Sequence, residues 1–390
     1  MKERLIDNLQ AIREQGNYRE VRHLKPLSAS RVLYKGKSFL NLCSNSYLSL
    51  HVHPEVIAAA RRAVDEYGAG TCSSRSVSGS LDLHAELERE IAAFKGYPGA
   101  LIFSNGYMAN MGIIATLTER GDVIFSDELN HSSIIDSTRL SRAKKVIYRH
   151  FDMDDLEQKL RRERSKGRKF IITETVFSMD GDVPPLPRIY ELKERYGCQL
   201  ILDEAHATGV FGEKGRGVEE MFGLTGRSDV QMGTFGKSFG TFGAFALSSG
   251  IVIEYLVNRA RTFLYTTALP ASPLAGALAA LRLVERDPSI RQQLWDNITY
   301  MRDALVGAGF DLEASRGPIV PIIVGKDAKT VEMQRMLMEK GIFLQAIRPP
   351  TVPAGTSRLR LTVVRGFTRA DMDEALDGLI TTGKKAGIIP

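Results

Sequence analysis

A chain of 390 residues with 43% hydrophobic residues is long for one domain and has ample material for a large core, so one large and one or two smaller units are expected. Its three cysteines, Cys43, Cys72 and Cys198, lie far apart with no C-x-x-C, which argues against a disulfide framework or zinc cluster and fits a reducing compartment. The net charge is +6, much of it in residues 159–169, where no aromatics are interleaved to stack on bases; with no apolar run of bilayer length and no signal-peptide core, a cytoplasmic protein without nucleic-acid or membrane partners is expected.

In chain order, Met1 to Gly16 reads as an amphipathic helix with Leu5, Leu9 and Ile12 on one face. Residues 31–42 read as a hairpin turning at Lys35-Gly36, and a helix is predicted from Pro54 to Tyr67. The polar stretch Gly68 to Ser80 is too long for a simple turn. Beyond it, short apolar strands at 100–103, 123–125, 145–148, 170–173, 199–202, 230–233 and 244–247 alternate with helices. That alternation means an α/β fold with a largely parallel sheet covered on both faces. An alanine-rich helix at 270–285 opens a smaller α+β region with helices at 289–308 and 330–339, strands at 319–324 and 359–362, and a last helix from Arg369. The expected organisation is an arm at 1–45, a large α/β domain at 46–275 and a C-terminal α+β domain at 276–390.

Ligands of open α/β sheets sit beyond the carboxyl ends of the strands. The residues expected there are Asn105, Gly106 and Tyr107, then His131, Glu174 and Ser178, Asp203 and His206, and finally Thr234 and Lys237. Each has a plain alternative: His131 as a helix cap, His206 as a loop histidine, Asp203 as an N-cap. His51 and His53 read as surface. Asp203 and His206 are close enough in sequence for a metal, but no further Cys or His arrives at ligand spacing, so no metal site is expected.

Lys237 sits among Gly233, Gly236, Gly240 and Gly243. It can be a P-loop lysine, a Schiff-base lysine or an exposed turn lysine. The P-loop pattern requires glycine where Gln231 stands, and the acidic box Asp203-Glu204-Ala205-His206 precedes the lysine instead of following it. A nucleotide-driven ATPase or helicase stays as the rival from another class. A cofactor with a phosphate, a basic ring nitrogen, a phenolic oxygen and an aldehyde would use every polar group at the sheet edge, and pyridoxal phosphate is such a cofactor.

At these residues the sequence resembles the α-oxoamine synthase family of fold type I pyridoxal phosphate enzymes. The likeness rests on Asn105-Gly106-Tyr107-Met108-Ala109-Asn110, on 127–133, on 173–182, on Leu202 to Gly209 and on Thr234-Phe235-Gly236-Lys237-Ser238-Phe239-Gly240. It implies a fold type I transferase and an acyl transfer to an amino acid with decarboxylation. By the resemblance Lys237 carries the cofactor as a Schiff base, Asp203 pairs with the pyridine nitrogen, His206 with the phenolic oxygen, and His131 stacks on the ring. Gly106, Tyr107, Ser178 and Thr234 line the cofactor and its phosphate, and Thr266 reaches the phosphate of the other subunit of a homodimer. Asn45 and Glu174 face the reacting centre. The stretch 346–362 is most similar to members that join a pimeloyl thioester, on coenzyme A or a carrier protein, to L-alanine. That likeness implies Arg360 for the amino-acid carboxylate and Arg19 and Thr351 for the acyl substrate. After Thr362 the chain departs from the family's small-residue run ending in histidine and reads Val363-Val364-Arg365-Gly366-Phe367.

Overall fold

A computed structural model describes residues 1–14, 18–312 and 315–390; Gln15 and Gly16, the end of the expected first helix, lie outside them. The chain divides into two compact units. The smaller comprises residues 1–47, 179–181 and 292–390, and the larger residues 48–178 and 182–291.

The smaller unit begins with helix α1 (Lys2–Glu14), none of whose side chains is buried; Leu5, Leu9 and Ile12 are exposed. Strands β1 (Lys25–Pro26), β2 (Arg31–Tyr34) and β3 (Lys37–Asn41) follow. The β2–β3 hairpin turns at Lys35 and Gly36, both at positive φ, the conformation a two-residue turn needs to match strand twist.

The larger unit runs through α2 (Pro54–Tyr67), α3 (Asp82–Lys95), β4 (Gly99–Phe103), α4 (Gly106–Leu117), β5 (Val123–Asp127), α5 (Ser132–Leu140), β6 (Lys144–Tyr148), α6 (Met153–Arg162) and β7 (Lys169–Glu174). It continues with α7 (Leu186–Tyr196), β8 (Cys198–Asp203), the short α8 (Val218–Met221), β9 (Val230–Thr234), β10 (Ala244–Ser248), α9 (Gly250–Arg259), α10 (Arg261–Leu264) and α11 (Ala271–Arg286). Its seven strands form one sheet in the order β4-β10-β9-β8-β7-β5-β6. Neighbours from β9 to β6 pair in parallel, and β10 runs antiparallel to both β4 and β9. Ile124, Phe170, Ile172, Ile201, Met232 and Ala246 of the sheet bury against Ile113, Ile114, Ile134 and Leu256 of the helices. Each large side chain buried this way contributes roughly 1.5–3 kcal/mol. The register sets Glu174 opposite Asp203, so two carboxyl groups end neighbouring strands side by side.

The chain then passes through α12 (Ser289–Gly307) into β11 (Ile319–Gly325), α13 (Asp327–Glu339), β12 (Ile342–Phe343), β13 (Ala346–Ile347), β14 (Ser357–Thr362) and α14 (Arg369–Lys385). Strand β12 pairs in parallel with β3, and Arg31 donates to Asp371 at 3.0 Å, so residues 1–45 are one unit with the C-terminal region instead of a separate arm. The backbone groups along β3 find their second partner in β12. The expected boundary at 275/276 also moves, to 291/292. Helix α11 packs on α2 and α3, and its Arg282 and Arg286 pair with Glu86, Glu90 and Glu55, which ties it to the larger unit. Val363 and Val364 are buried after β14, and the Arg365 amide donates to the Tyr47 carbonyl at 2.8 Å.

Candidate active site

The carboxyl edge of the large sheet encloses a cavity of about 200 Å³ lined by Gly106, Tyr107, His131, Glu174, Asp203, His206, Thr234 and Lys237, together with Ser133, Ala205 and Met232. Eight of the residues singled out from the sequence thus meet in one place.

Lys237 follows β9 on a loop with no helix after it, so the phosphate cradle of a P-loop is missing here. Gly240 sits at φ +67°, and a Cβ there would come within 2.2 Å of the His51 backbone nitrogen. Only glycine lets the lysine loop close on that segment. His51 is accordingly half-buried, not a surface residue, and burial lowers its pKa; His53 caps α2 by accepting from the Glu55 amide. The Lys237 Nζ lies 2.7 Å from His206 Nε2. Thr234 Oγ1 donates to the Gly243 carbonyl and accepts from the Gly236 amide, which fixes the entry to the loop.

Asp203 ends β8, buried, with Oδ1 accepting from the Ala205 amide at 2.9 Å and Oδ2 from Asn110 Nδ2 at 2.8 Å. The loop after it is anchored from below. Lys95 Nζ reaches Glu204 Oε2 at 2.6 Å, both side chains fully buried, and Glu204 Oε1 accepts from the Val218 and Glu219 amides. Burial pushes the Glu204 carboxyl up against the pull of Lys95. His131 is both a site residue and a helix cap, its ring accepting from the Ser133 amide at the start of α5. Burial holds its pKa below the ordinary histidine range, with Asp203 opposing and Lys237 adding to that shift. Glu174 accepts from the His131 amide at 2.6 Å. Burial, and next the Asp203 charge, hold it well above the carboxylate range.

Pyridoxal phosphate fits this donor set. Helix geometry leaves the first-turn amides of Gly106 and Tyr107 open for a phosphate, while Asn105 caps Met108. An amine for an aldehyde, a buried carboxylate for a ring nitrogen and two imidazoles share the cavity. Ser178 and Thr266 are not among the lining residues; both are half-buried, and Thr266 Oγ1 lies 3.8 Å from Met108 Sδ.

In the smaller unit, Arg360 is buried on β14 and its Nη1 donates to Asn45 Oδ1 at 3.2 Å and Thr362 Oγ1 at 3.0 Å. Arg19 donates to Thr351 Oγ1 at 3.0 Å, and both line a cavity of about 540 Å³ with Arg22 and Arg348. Sequence reasoning gave no role to Asn110 or Ser133. A signal was available, since Asn110 is the one amide side chain in the largely apolar helix GYMANMGIIATL.

The fold and this cavity define a pyridoxal-phosphate-dependent enzyme of fold type I. A model of the family "Aminotransferase class I and II" matches residues 37–379. The chain is 48% identical, over 99% of both chains, to 8-amino-7-oxononanoate synthase from Geobacter sulfurreducens. Among solved structures it is similar to a serine palmitoyltransferase from S. paucimobilis with bound PLP–myriocin (TM-score 0.93, 33% identity, 99% and 98% of the chains). It also resembles 8-amino-7-oxononanoate synthase from Francisella tularensis (TM-score 0.77, 30% identity, 89% and 98%). The chain belongs to the aminotransferase class I and II family, and within it to the α-oxoamine synthases.

Proposed function

We propose that this enzyme condenses L-alanine with a pimeloyl thioester to give 8-amino-7-oxononanoate, a biotin precursor, as a cytoplasmic homodimer. A carbon–carbon bond forms between the alanine Cα and the thioester carbonyl. The C–S bond and the bond to the alanine carboxylate break, releasing thiol and carbon dioxide. The observation that carries this reading is the full-length likeness to a relative of that name, closer in sequence than the likeness to serine palmitoyltransferase.

Pyridoxal phosphate, when bound, supplies an aldehyde for the substrate amino group and an electron sink for charge at Cα. Lys237 would hold it, with Asp203 at its ring nitrogen, His206 at its phenolic oxygen and His131 against its face. Gly106, Tyr107, Ser178 and Thr234 would hold the phosphate, and Thr266 would serve the other subunit's site. The Lys237 amine takes the alanine α-proton at Nζ. Glu174, its carboxyl pushed up by burial and by the Asp203 charge, is disfavoured as a second negative charge beside Asp203. Arg360 binds the amino-acid carboxylate, a geometry its planar fork suits, with Asn45 beside it. Arg19 and Thr351 hold the acyl chain, on coenzyme A or a carrier protein.

Mass-spectrometric product analysis tests this reading by pairing alanine, glycine and serine with a panel of acyl thioesters. The expected product is 8-amino-7-oxononanoate from alanine and the pimeloyl thioester. Faster turnover of serine with a long acyl chain, or of glycine with a short one, would overturn it. Lys237→Ala should abolish both the visible absorption of the holoenzyme and its activity.

A further inference from the structure

We infer that Asn110 and Ser133 are positioning residues that fix His131 as the neutral Nε2–H tautomer and link it to Asp203 through a directed chain of hydrogen bonds. The inference rests on the reading of the site given above.

A carboxylate only accepts, so the Asn110 atom 2.8 Å from Asp203 Oδ2 is the amide nitrogen. That same nitrogen lies 2.9 Å from Ser133 Oγ and donates its second hydrogen there. Asn110 and Ser133 are both about 1% exposed, so water does not compete for these groups. Ser133 Oγ, having accepted from Asn110, turns its own proton to the acceptor 2.8 Å away, His131 Nδ1. The Ser133 backbone N–H points at the same Nδ1, at 3.2 Å, and it cannot reverse. Two donors therefore converge on one ring nitrogen. Nδ1 is the bare nitrogen and Nε2 carries the proton.

The polarity has two consequences. Charging His131 would place a proton on Nδ1 opposite a fixed N–H, so the ring resists protonation beyond what burial imposes. The amide also ties the orientation of the His131 ring to the Asp203 carboxylate, on a different strand. The charged and titratable groups lining the cavity with His131 are Tyr107 from α4, Glu174 from β7, Asp203 and His206 from β8 and its loop, and Lys237 after β9. Asp203 favours a charge on the ring and Lys237 opposes it, but Ser133 decides which nitrogen is bare.

The experiment is nitrogen-15 NMR of histidine-labelled holoenzyme, with the His131 signals assigned by their loss in His131→Asn. The expected wild-type result is a protonated Nε2 and a hydrogen-bonded, unprotonated Nδ1, unchanged between about pH 6 and 9. In Ser133→Ala the Nδ1 signal should move and the kcat profile should gain an acidic limb that wild type lacks. Loss of one such hydrogen bond should also lower kcat about five- to tenfold with KM for the amino acid unchanged, and Ser133→Thr should restore kcat to within about twofold. A wild-type ring protonated on Nδ1 overturns the inference without any variant. So does a Ser133→Ala enzyme whose His131 signals and pH profile match wild type. The NMR readout does not depend on which acyl thioester is used, so failure here is distinct from failure of the proposed reaction.

Discussion

His131 and His150 follow neighbouring parallel strands of one sheet, and each lies near acidic side chains, yet their pKa values move in opposite directions. His131 follows β5, and its Nδ1 faces two donors from Ser133. His150 follows β6 and bridges two acceptors, Asp127 Oδ1 at 2.9 Å from Nδ1 and Asp182 Oδ2 at 2.9 Å from Nε2. Its ring stacks on Phe151 with centroids 3.8 Å apart and meets the edge of Phe177 at 4.5 Å. Burial opposes a charge on His150, but the hydrogen bonds to Asp127 and Asp182 outweigh it and push the pKa up to about 10. His131 is the more exposed of the two and His150 is half-buried, so the charge on His150 does not come from greater contact with water. The difference is what faces the ring nitrogens: donors disfavour a charge on one imidazole, and carboxylates hold the other as a cation at neutral pH, where it fastens loops.

The largest effect that sharpens this contrast is on turnover. His131→Ala should lower kcat about a hundredfold, the scale of losing one well-placed donor in a water-poor site. Its unfolding free energy should fall by only about 1 kcal/mol, the cost of losing the α5 cap. A variant that lost stability in step with activity would mean that His131 is structural like His150.

Next comes stability. His150→Gln keeps a hydrogen-bonding side chain but removes the cation between two buried carboxylates, and should cost about 2 kcal/mol in denaturant unfolding. The kcat of the folded holoenzyme should stay within about twofold. A large kcat loss at unchanged stability would reverse the assignment.

Why such a contrast escapes a sequence reading is clear from the contacts. Every strand of the large sheet is legible as a short apolar run, and the hairpin turn is legible at Lys35-Gly36, because periodicity and positive-φ turn residues are local. Eight of the residues named from the sequence line the cavity because they follow strand ends, while Ser178 and Thr266 do not line it. Asn110 meets Asp203 across 93 positions and His150 meets Asp182 across 32, and no local pattern carries such pairings. The expected boundary at 275/276 cuts through α11 for the same reason. The helix's alanine-rich face does not say that α2 and α3 will cover it.

The pH dependence of stability should differ between wild type and His150→Gln. His150 titrates at about 10 when folded and at an ordinary 6.5 when unfolded. The folded state therefore holds a proton that the unfolded state gives up within this window. The stabilisation is fully present below pH 6.5 and is lost as the pH rises toward 10. The stability gap between the two proteins should be widest near pH 6 and should shrink steadily toward pH 10. A constant gap would show that His150 stabilises by packing on Phe151 and Phe177, not by charge.

The smallest effect separates the two carboxylates of the clamp. Asp127 is fixed independently, since its Oδ1 also accepts from the Leu129 amide and its Oδ2 from the Phe151 amide. Asp182 holds His150 through Oδ2, while its Oδ1 has no partner among the described residues. Asp182→Asn retains a side-chain oxygen for His150 and removes one charge, so it should cost about 1 kcal/mol, less than the loss of the ring itself. It should also lower the His150 pKa and so narrow the window over which stability falls with pH. The check is unfolding of Asp182→Asn beside wild type at several pH values. If the variant lost as much stability as His150→Gln, Asp182 would be the dominant half of the clamp. If it lost none, Asp127 alone would hold the cation, and His150 would fasten β5 to β6 without reaching the loop that bears Asp182.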